Sequence, residues 1–258
     1  MNQYLKTKWA GRNLIHYKET DSTNVRAKAF GADGVHGTLI YADSQTAGRG
    51  RRGRSWESEE ADNIYMSLYL KPEFAPNQAP MLTLIMAYAV ARALANAYGI
   101  QSGIKWPNDI VLNKKKICGI LTEMSLAGTE IEHVVIGVGI NVGNKHFPEE
   151  LQETATSLWL ETGKEFNREE IIAEIMNVFE TEYEKFCEVG DLSFIREEYN
   201  QILVNCGQEV RVLDAKGHFT AKAVGINELG ELLVEKEDGT MEQVFAGEVS
   251  VRGIYGYV

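Results

Sequence analysis

The sequence predicts an α/β (α+β) fold followed by a small all-β module, and three observations carry that expectation. Up to Leu203, apolar runs of strand length are interleaved with stretches of helical periodicity. Within that part, Pro80 to Tyr98 reads as one long, alanine-rich amphipathic helix stopped at Gly99. After Asn205 the helical pattern ceases, and short strands separated by glycine-containing turns suggest a small β-barrel. The expected units are residues 1–205 and 206–258.

In chain order, Asn13 to Lys18 alternates as a strand and runs into the capping residues Glu19 to Asn24, ahead of a helix from Val25 to Phe30. Gly37 to Ala42 is a second strand, leading to Gln45 and an Arg/Gly loop. Asn63 to Leu70 is a third, closed by Pro72 and Pro76. Ile104 to Trp106 ends at Pro107, which sets a turn at Asn108 and Asp109. Ile110 to Leu112 and Ile117 to Thr122 then form a hairpin around Asn113, Lys114 and Lys115. Glu130 to Asn141 is a strand whose Gly137 and Gly139 permit close backbone approach. Phe166 to Phe186 and Leu192 to Leu203 read as amphipathic helices. The last strands are Glu209 to Leu213, Phe219 to Ile226, Glu231 to Glu235 and Met241 to Phe245, with turns at Ala215-Lys216-Gly217, Glu228-Leu229-Gly230 and Glu237-Asp238-Gly239.

Composition narrows the function classes. At 258 residues, 44% hydrophobic and 24% charged, the chain can bury a substantial core. A net charge of -11 disfavours a protein whose main task is gripping nucleic acid, which needs a broad basic surface. Lys6 and Lys8 are followed by no apolar signal-peptide core, and the run Met81 to Ala91 is too short to span a bilayer, so a cytoplasmic chain with no membrane partner is expected. Cys118, Cys187 and Cys206 are odd in number and scattered, which fits a reducing compartment. The five histidines have no ligand-like spacing, and no protein-bound metal site is expected.

The chemistry concentrates in residues 44–56, where Arg49, Arg51, Arg52 and Arg54 are interleaved with Gly48, Gly50 and Gly53. Clustered guanidinium groups repel one another until an anion neutralises them, and glycine lets backbone N–H groups approach a ligand. A mobile loop that orders on a phosphate or carboxylate is expected. Arg/Gly stretches also occur as solvated linkers or nucleic-acid tails. Here both ends are anchored in strands, as in functional loops on rigid scaffolds. Taken alone, Asp21 to Asn24 reads first as a plain helix cap, which can coexist with a ligand-binding role, Trp56 as a packing anchor, and Lys114 and Lys115 as a solvated hairpin tip.

Taken together, Asp21-Ser22-Thr23-Asn24, the loop from Gln45 to Trp56, Lys105-Trp106-Pro107-Asn108-Asp109, Lys116-Ile117-Cys118-Gly119 and Gly137 to Asn141 resemble the biotin–protein ligases in motif, order and spacing. The resemblance covers nearly the whole chain and also includes Ala155 to Leu158. It implies a mixed central sheet with flanking helices of the biotin/lipoate ligase type and an SH3-like C-terminal module. It further implies activation of biotin by ATP to biotinyl-5'-AMP, then transfer to a lysine of the biotin carboxyl carrier domain of a carboxylase, with Mg²⁺ accompanying ATP.

By resemblance, Ser22, Thr23, Asn24, Gln45, Arg49, Gly50, Arg51, Lys116 and Gly119 hold biotin. Gly48, Arg49, Arg51, Trp56, Lys105, Asn108, Asp109 and Asn141 hold the adenylate, and Lys116 and Arg51 act in catalysis. A cyclic urea offers two N–H donors and one carbonyl acceptor, which suits the hydroxyls of Ser22 and Thr23 and the amide of Gln45. There is no room before Asp21 for the helix-turn-helix repressor domain of many bacterial relatives, so a ligase-only form is expected, and the resemblance allows a homodimer. A lipoate ligase is the nearest enzymatic alternative, and a nucleic-acid-binding protein using the Arg/Gly loop is the distant one.

Overall fold

The computed structural model describes residues 1–54, 56, 63–214, 217–246, 250–253 and 257. Seven strands form one mixed sheet: β1 (Leu14–Thr20), β2 (Thr38–Gln45), β3 (Ile64–Leu70), β4 (Gly103–Lys105), β5 (Asp109–Leu112), β6 (Lys115–Ala127) and β7 (Glu130–Ile140). Their spatial order is β1-β2-β3-β7-β6-β5-β4, with β1 parallel to β2 and the remaining pairs antiparallel. α1 (Thr23–Lys28) and α2 (Met81–Tyr98) pack on the sheet, and beyond the short α3 (Leu158–Thr162), α4 (Arg168–Val189) packs on α2. The expected β5–β6 hairpin turns on Asn113 and Lys114, both in the left-handed region at φ 48° and 67°.

Strand periodicity divides the sheet into two unlike faces. Leu39, Leu68, Val134 and Ile136 point into the large core beneath α2 and α4, whereas Ile40, Tyr69 and Val135 point to the opposite face, where they pack with Ala27 of α1. The residues of that second face continue as Tyr65 and Ser67 on β3 and Gly137 and Gly139 on β7. On β6, Gly119 and Leu121 stand in register with Gly139 and Gly137. α1 is only 6 residues long and covers one end of this face. The glycine-bearing remainder is left as the floor of a cleft.

α2 ends as expected, with Gly99 at φ 69° closing its last turn. Its first turns are not amphipathic, however. Met81, Leu82, Leu84, Ile85, Met86, Ala87, Tyr88, Ala89, Val90 and Ala91 are all buried, because the sheet lies against one side and α4 against another. From Pro76 to Tyr98 this segment is long and apolar enough to cross a membrane by length and composition, but 67% of its apolar window is buried within the protein, as a core helix requires. α4 begins where Asn167 Oδ1 accepts from the backbone N–H groups of Glu169 and Glu170, at 3.0 and 3.3 Å.

α5 (Arg196–Ile202) is shorter than the expected Leu192 to Leu203 and leads into a second sheet. This sheet contains β8 (Glu209–Asp214), β9 (Gly217–Ile226), β10 (Leu232–Glu235), β11 (Met241–Val244) and a fifth strand, β12 (Ser250–Gly253), in the order β11-β10-β9-β8-β12. β12 was not expected, and the anticipated turn at 215–217 lies outside the described residues except for Gly217. Trp106 fastens the sheets together: its N–H donates to Asn205 Oδ1 (2.8 Å) and its indole Nε1 to Gly230 O (3.0 Å).

Candidate functional site

The N-terminus of α1 meets the end of β2 at one rim of the glycine floor. Ser22 occupies the N-cap with extended backbone, φ -160° and ψ 133°, yet its side chain forms no cap hydrogen bond. The capping and ligand-binding readings of Asp21 to Asn24 therefore separate residue by residue. Asp21 Oδ1 accepts from the Ser22 N–H at 2.7 Å, leaving the Ser22 hydroxyl on the cleft wall. Gln45 Oε1 accepts from both the N–H and the hydroxyl of Thr23, at 2.9 and 3.2 Å. That pairing fixes the rotamer of each before any ligand arrives.

Asn24 is a strut. Its Nδ2 donates to Leu121 O (3.3 Å) and Glu123 Oε2 (2.9 Å), while Ser67 Oγ lies 2.6 Å from its Oδ1. A Cβ on Gly137 would stand 2.1 Å from Asn24 Oδ1, so glycine there is a packing requirement. Burial pushes the Glu123 carboxyl's pKa up, but hydrogen bonds from Lys28 and Asn24 and the charges of Lys28 and Arg49 outweigh it, and the net shift is downward. A depressed folded-state pKa contributes stability that is present above the unfolded value and lost as pH falls through the folded one. Glu123→Gln is therefore expected to cost about 0.5–1 kcal/mol at neutral pH. It should also flatten the acid limb of thermal stability between about pH 3 and 5; an unchanged limb in a melting series would refute this assignment.

The Arg/Gly loop crosses the cleft. Gly50 N donates to Arg54 O (2.7 Å), Trp56 N donates to Gly48 O (3.0 Å), and Arg52 adopts φ 58° between them. Trp56 lies over the floor, and a Cβ on Gly139 or Gly119 would come within 2.7 or 2.8 Å of its ring. Arg51 reaches out of the loop, donating from Nη1 to Asn108 Oδ1 and from Nη2 to Ala246 O, each at 2.8 Å. Burial draws its pKa down and the facing Asp109 opposes that. The expected ordering of the loop on a ligand extends over Ser55 and residues 57–62, which lie outside the described residues.

Lys116 stands at the start of β6, its backbone tied to Thr154 O (2.8 Å) and its Nζ 2.7 Å from Asp109 Oδ1. Its ammonium also sits 5.1 Å from the Trp56 ring centroid. Asp109 Oδ2 accepts from the Tyr257 hydroxyl at 2.5 Å, and the Tyr257 ring lies under Lys105 Nζ at 3.5 Å. Asn108 Nδ2 donates to Ile120 O at 3.0 Å, so this amide bridges the loop and β6.

These groups line two adjoining clefts that open to solvent. The smaller is walled by Ser22, Thr23, Gln45 and Arg49 over the glycine floor. The larger is walled by Arg52, Arg54, Lys105, Asp109 and Tyr257. Gly50, Arg51, Trp56, Asn108 and Lys116 line both. Gly48 and Asn141, expected at the adenylate, line neither. Asn141 instead donates from Nδ2 to Thr156 O at 3.1 Å and fastens the segment ahead of α3. Sequence reasoning missed Tyr257, Ala246, Ser67 and Glu123. Tyr257 and Ala246 reach the site from more than 100 residues away, with no local motif to announce them.

Residues 17–141 match the Biotin/lipoate A/B protein ligase family, and residues 206–252 match the Biotin protein ligase C terminal domain. Over 250 residues the chain is 38% identical to the Bifunctional ligase/repressor BirA of Bacillus subtilis (strain 168), covering 96% of this chain and 76% of that one. It is also 38% identical over 159 residues to the Biotin--[acetyl-CoA-carboxylase] ligase of Paracoccus denitrificans, covering 59% of this chain and 65% of that one. Among solved structures, the biotin protein ligase from Aquifex aeolicus in complex with biotin and ATP superposes with a TM-score of 0.82 at 36% identity, covering 94% of this chain and 99% of that one. With sheet, C-terminal module and motifs all in agreement, the chain belongs to the biotin/lipoate A/B protein ligase family.

Proposed function

We propose that this chain is an ATP-dependent biotin–protein ligase that forms biotinyl-5'-AMP with release of pyrophosphate and then biotinylates a lysine of a biotin carboxyl carrier domain of acetyl-CoA carboxylase. The observation that carries the reading is the shared wall: Arg51, Trp56, Asn108 and Lys116 stand between a small polar-and-glycine cleft and a large cationic one. A biotin ring system fits the first, where Thr23 and Gln45 offer complementary hydrogen bonds to a ureido group and Gly119, Gly137 and Gly139 let flat rings approach the backbone. A nucleotide fits the second, where Lys105, Arg52 and Arg54 neutralise phosphates.

The junction is where the chemistry belongs. The biotin carboxylate oxygen attacks the α-phosphorus of ATP, the bond from that phosphorus to the bridging oxygen breaks, and pyrophosphate departs with the electron pair. Lys116 and Arg51 hold two anions together that otherwise repel, and stabilise charge on the transferring phosphoryl group. The acceptor amine then attacks the acyl carbon and AMP leaves. Trp56 and the loop exclude water from the anhydride in the interval. Mg²⁺ would ride mainly on phosphate oxygens, with Asp109 and Glu153 the carboxylates of the nucleotide cleft nearest to its role. Residues 1–205 form the catalytic unit and 206–258 the SH3-like unit in this reading, and the setting is cytoplasmic.

The test is mass spectrometry of a carrier domain incubated with the chain, Mg-ATP and equal amounts of biotin and lipoate. Biotin alone is expected on the acceptor lysine. Lipoylation would transfer the assignment to the lipoate branch, and an unmodified carrier would overturn the reading.

A further inference from the structure

We infer that Tyr257 is a positioning residue of the adenylation site, holding Lys105 with its ring and tempering, through Asp109, the grip on Lys116. This rests on the ligase reading and deepens it. Of the cations that line the clefts, Arg51 and Lys105 are contacted directly by the C-terminal unit and Lys116 is linked to it through Asp109. Arg51 donates to the Ala246 carbonyl at 2.8 Å. Lys105 Nζ sits 3.5 Å over the Tyr257 ring. Lys116 pairs at 2.7 Å with Asp109 Oδ1, whose other oxygen accepts from the Tyr257 hydroxyl at 2.5 Å.

The physical logic lies in competition. An Asp109 carboxylate directed wholly at Lys116 would compete with the incoming phosphate and carboxylate for the same ammonium. A phenol donating to its second oxygen takes up part of that negative charge and leaves Lys116 easier to transfer. Burial and the neighbouring Asp109 charge push the Tyr257 pKa up, so the hydroxyl remains a donor throughout the working range. The ring does separate work: its face attracts the ammonium over it, so the Tyr257 ring aims Lys105 along the wall of the nucleotide cleft.

Two variants separate these roles in the full-length protein. Tyr257→Phe keeps the ring and removes the hydroxyl. Biotin-dependent ATP–pyrophosphate exchange should show kcat lowered about tenfold with KM for ATP held within about twofold. Tyr257→Leu removes both and should add a rise in KM for ATP of about fivefold. Competitive acetylation of lysines followed by peptide mass spectrometry gives a readout independent of turnover. Lys116 should react more slowly in Tyr257→Phe, and Lys105 about threefold faster in Tyr257→Leu only. Unchanged kinetics with unchanged labelling in both variants would overturn the inference. A wild-type chain without biotin-dependent exchange would overturn the ligase reading instead, and the labelling would still decide where Tyr257 acts.

Discussion

Lys116→Ala is expected to lower biotin-dependent ATP–pyrophosphate exchange by about 10³-fold while the protein stays folded. The size follows from placement. Lys116 Nζ is at the wall common to both clefts, where two anions must meet, and a preorganised donor of this kind typically contributes about 3–4 kcal/mol to the transition state. The fold should tolerate the change because the anchoring of this segment is made by backbone: Lys116 N donates to Thr154 O and Thr156 N donates to Lys116 O, at 2.8 and 2.9 Å. The side chain is 25% exposed, and the Asp109 carboxylate it leaves keeps the Tyr257 hydroxyl as donor and the charge of Arg51 facing it. Lys116→Arg is the sharper control. A planar, longer fork does not reproduce a compact ammonium between two oxygens, so a loss of about tenfold or more is expected. Wild-type exchange in Lys116→Ala, with an unchanged melting curve, would remove Lys116 from the reaction.

Much of this site was legible because its signals are local. Lys116 could be told from Lys114 and Lys115 by its spacing to Gly119, and the structure places the first in the clefts while the left-handed Lys114 turns the hairpin. The strands were legible from alternation, and Gly137 and Gly139 announced a floor that bare backbone could form.

What was illegible depends on distance along the chain. The 4-residue strand β12 carries too short a pattern to read as one, and it exists because β8 offers it an edge. The amphipathic reading of α2 fails over Met81 to Ala91 for a related reason: periodicity marks one apolar face, but these turns lie between the sheet and α4, and only further along are Arg92, Asn96 and Ala97 exposed. Asn141, which the resemblance puts at the adenylate, lines neither cleft, and its amide donates to Thr156 O, a partner 15 residues away.

The N-terminal segment gives the second large effect, on stability and not on chemistry. Met1 to Trp9 carries no pattern that marks a fixed conformation, yet it is docked on α4, where Glu169 pairs with the Met1 amine, Asn177 holds Lys6 N and Tyr4 O, Glu184 accepts from Trp9 Nε1, and Glu180 takes the largest share of backbone donors. Glu180, 6% exposed, accepts from the backbone N–H of Lys8 at 2.6 Å and from those of Trp9 and Ala10 at 2.8 Å each. Three backbone donors thus converge on one acidic side chain. Glu180→Ala leaves these N–H groups without their acceptor, two of them on partly or fully buried residues, at about 1–3 kcal/mol for each one kept from water. We expect a net destabilisation of about 3–5 kcal/mol, seen as a fall in Tm of about 10 °C. Glu180→Gln should fall between, because an amide retains one acceptor oxygen but presents donors where the second stood. The segment continues through Gly11, whose N–H donates to Gly37 O at 2.9 Å, and into β1, so its release should fray the outer edge of the sheet first. Hydrogen exchange should therefore rise in residues 8–20 of Glu180→Ala while β6 and β7, paired on the far side of β3, keep their protection. A variant that melts with the wild type, or that loses protection uniformly, would show that Glu180 is not what holds this edge in place.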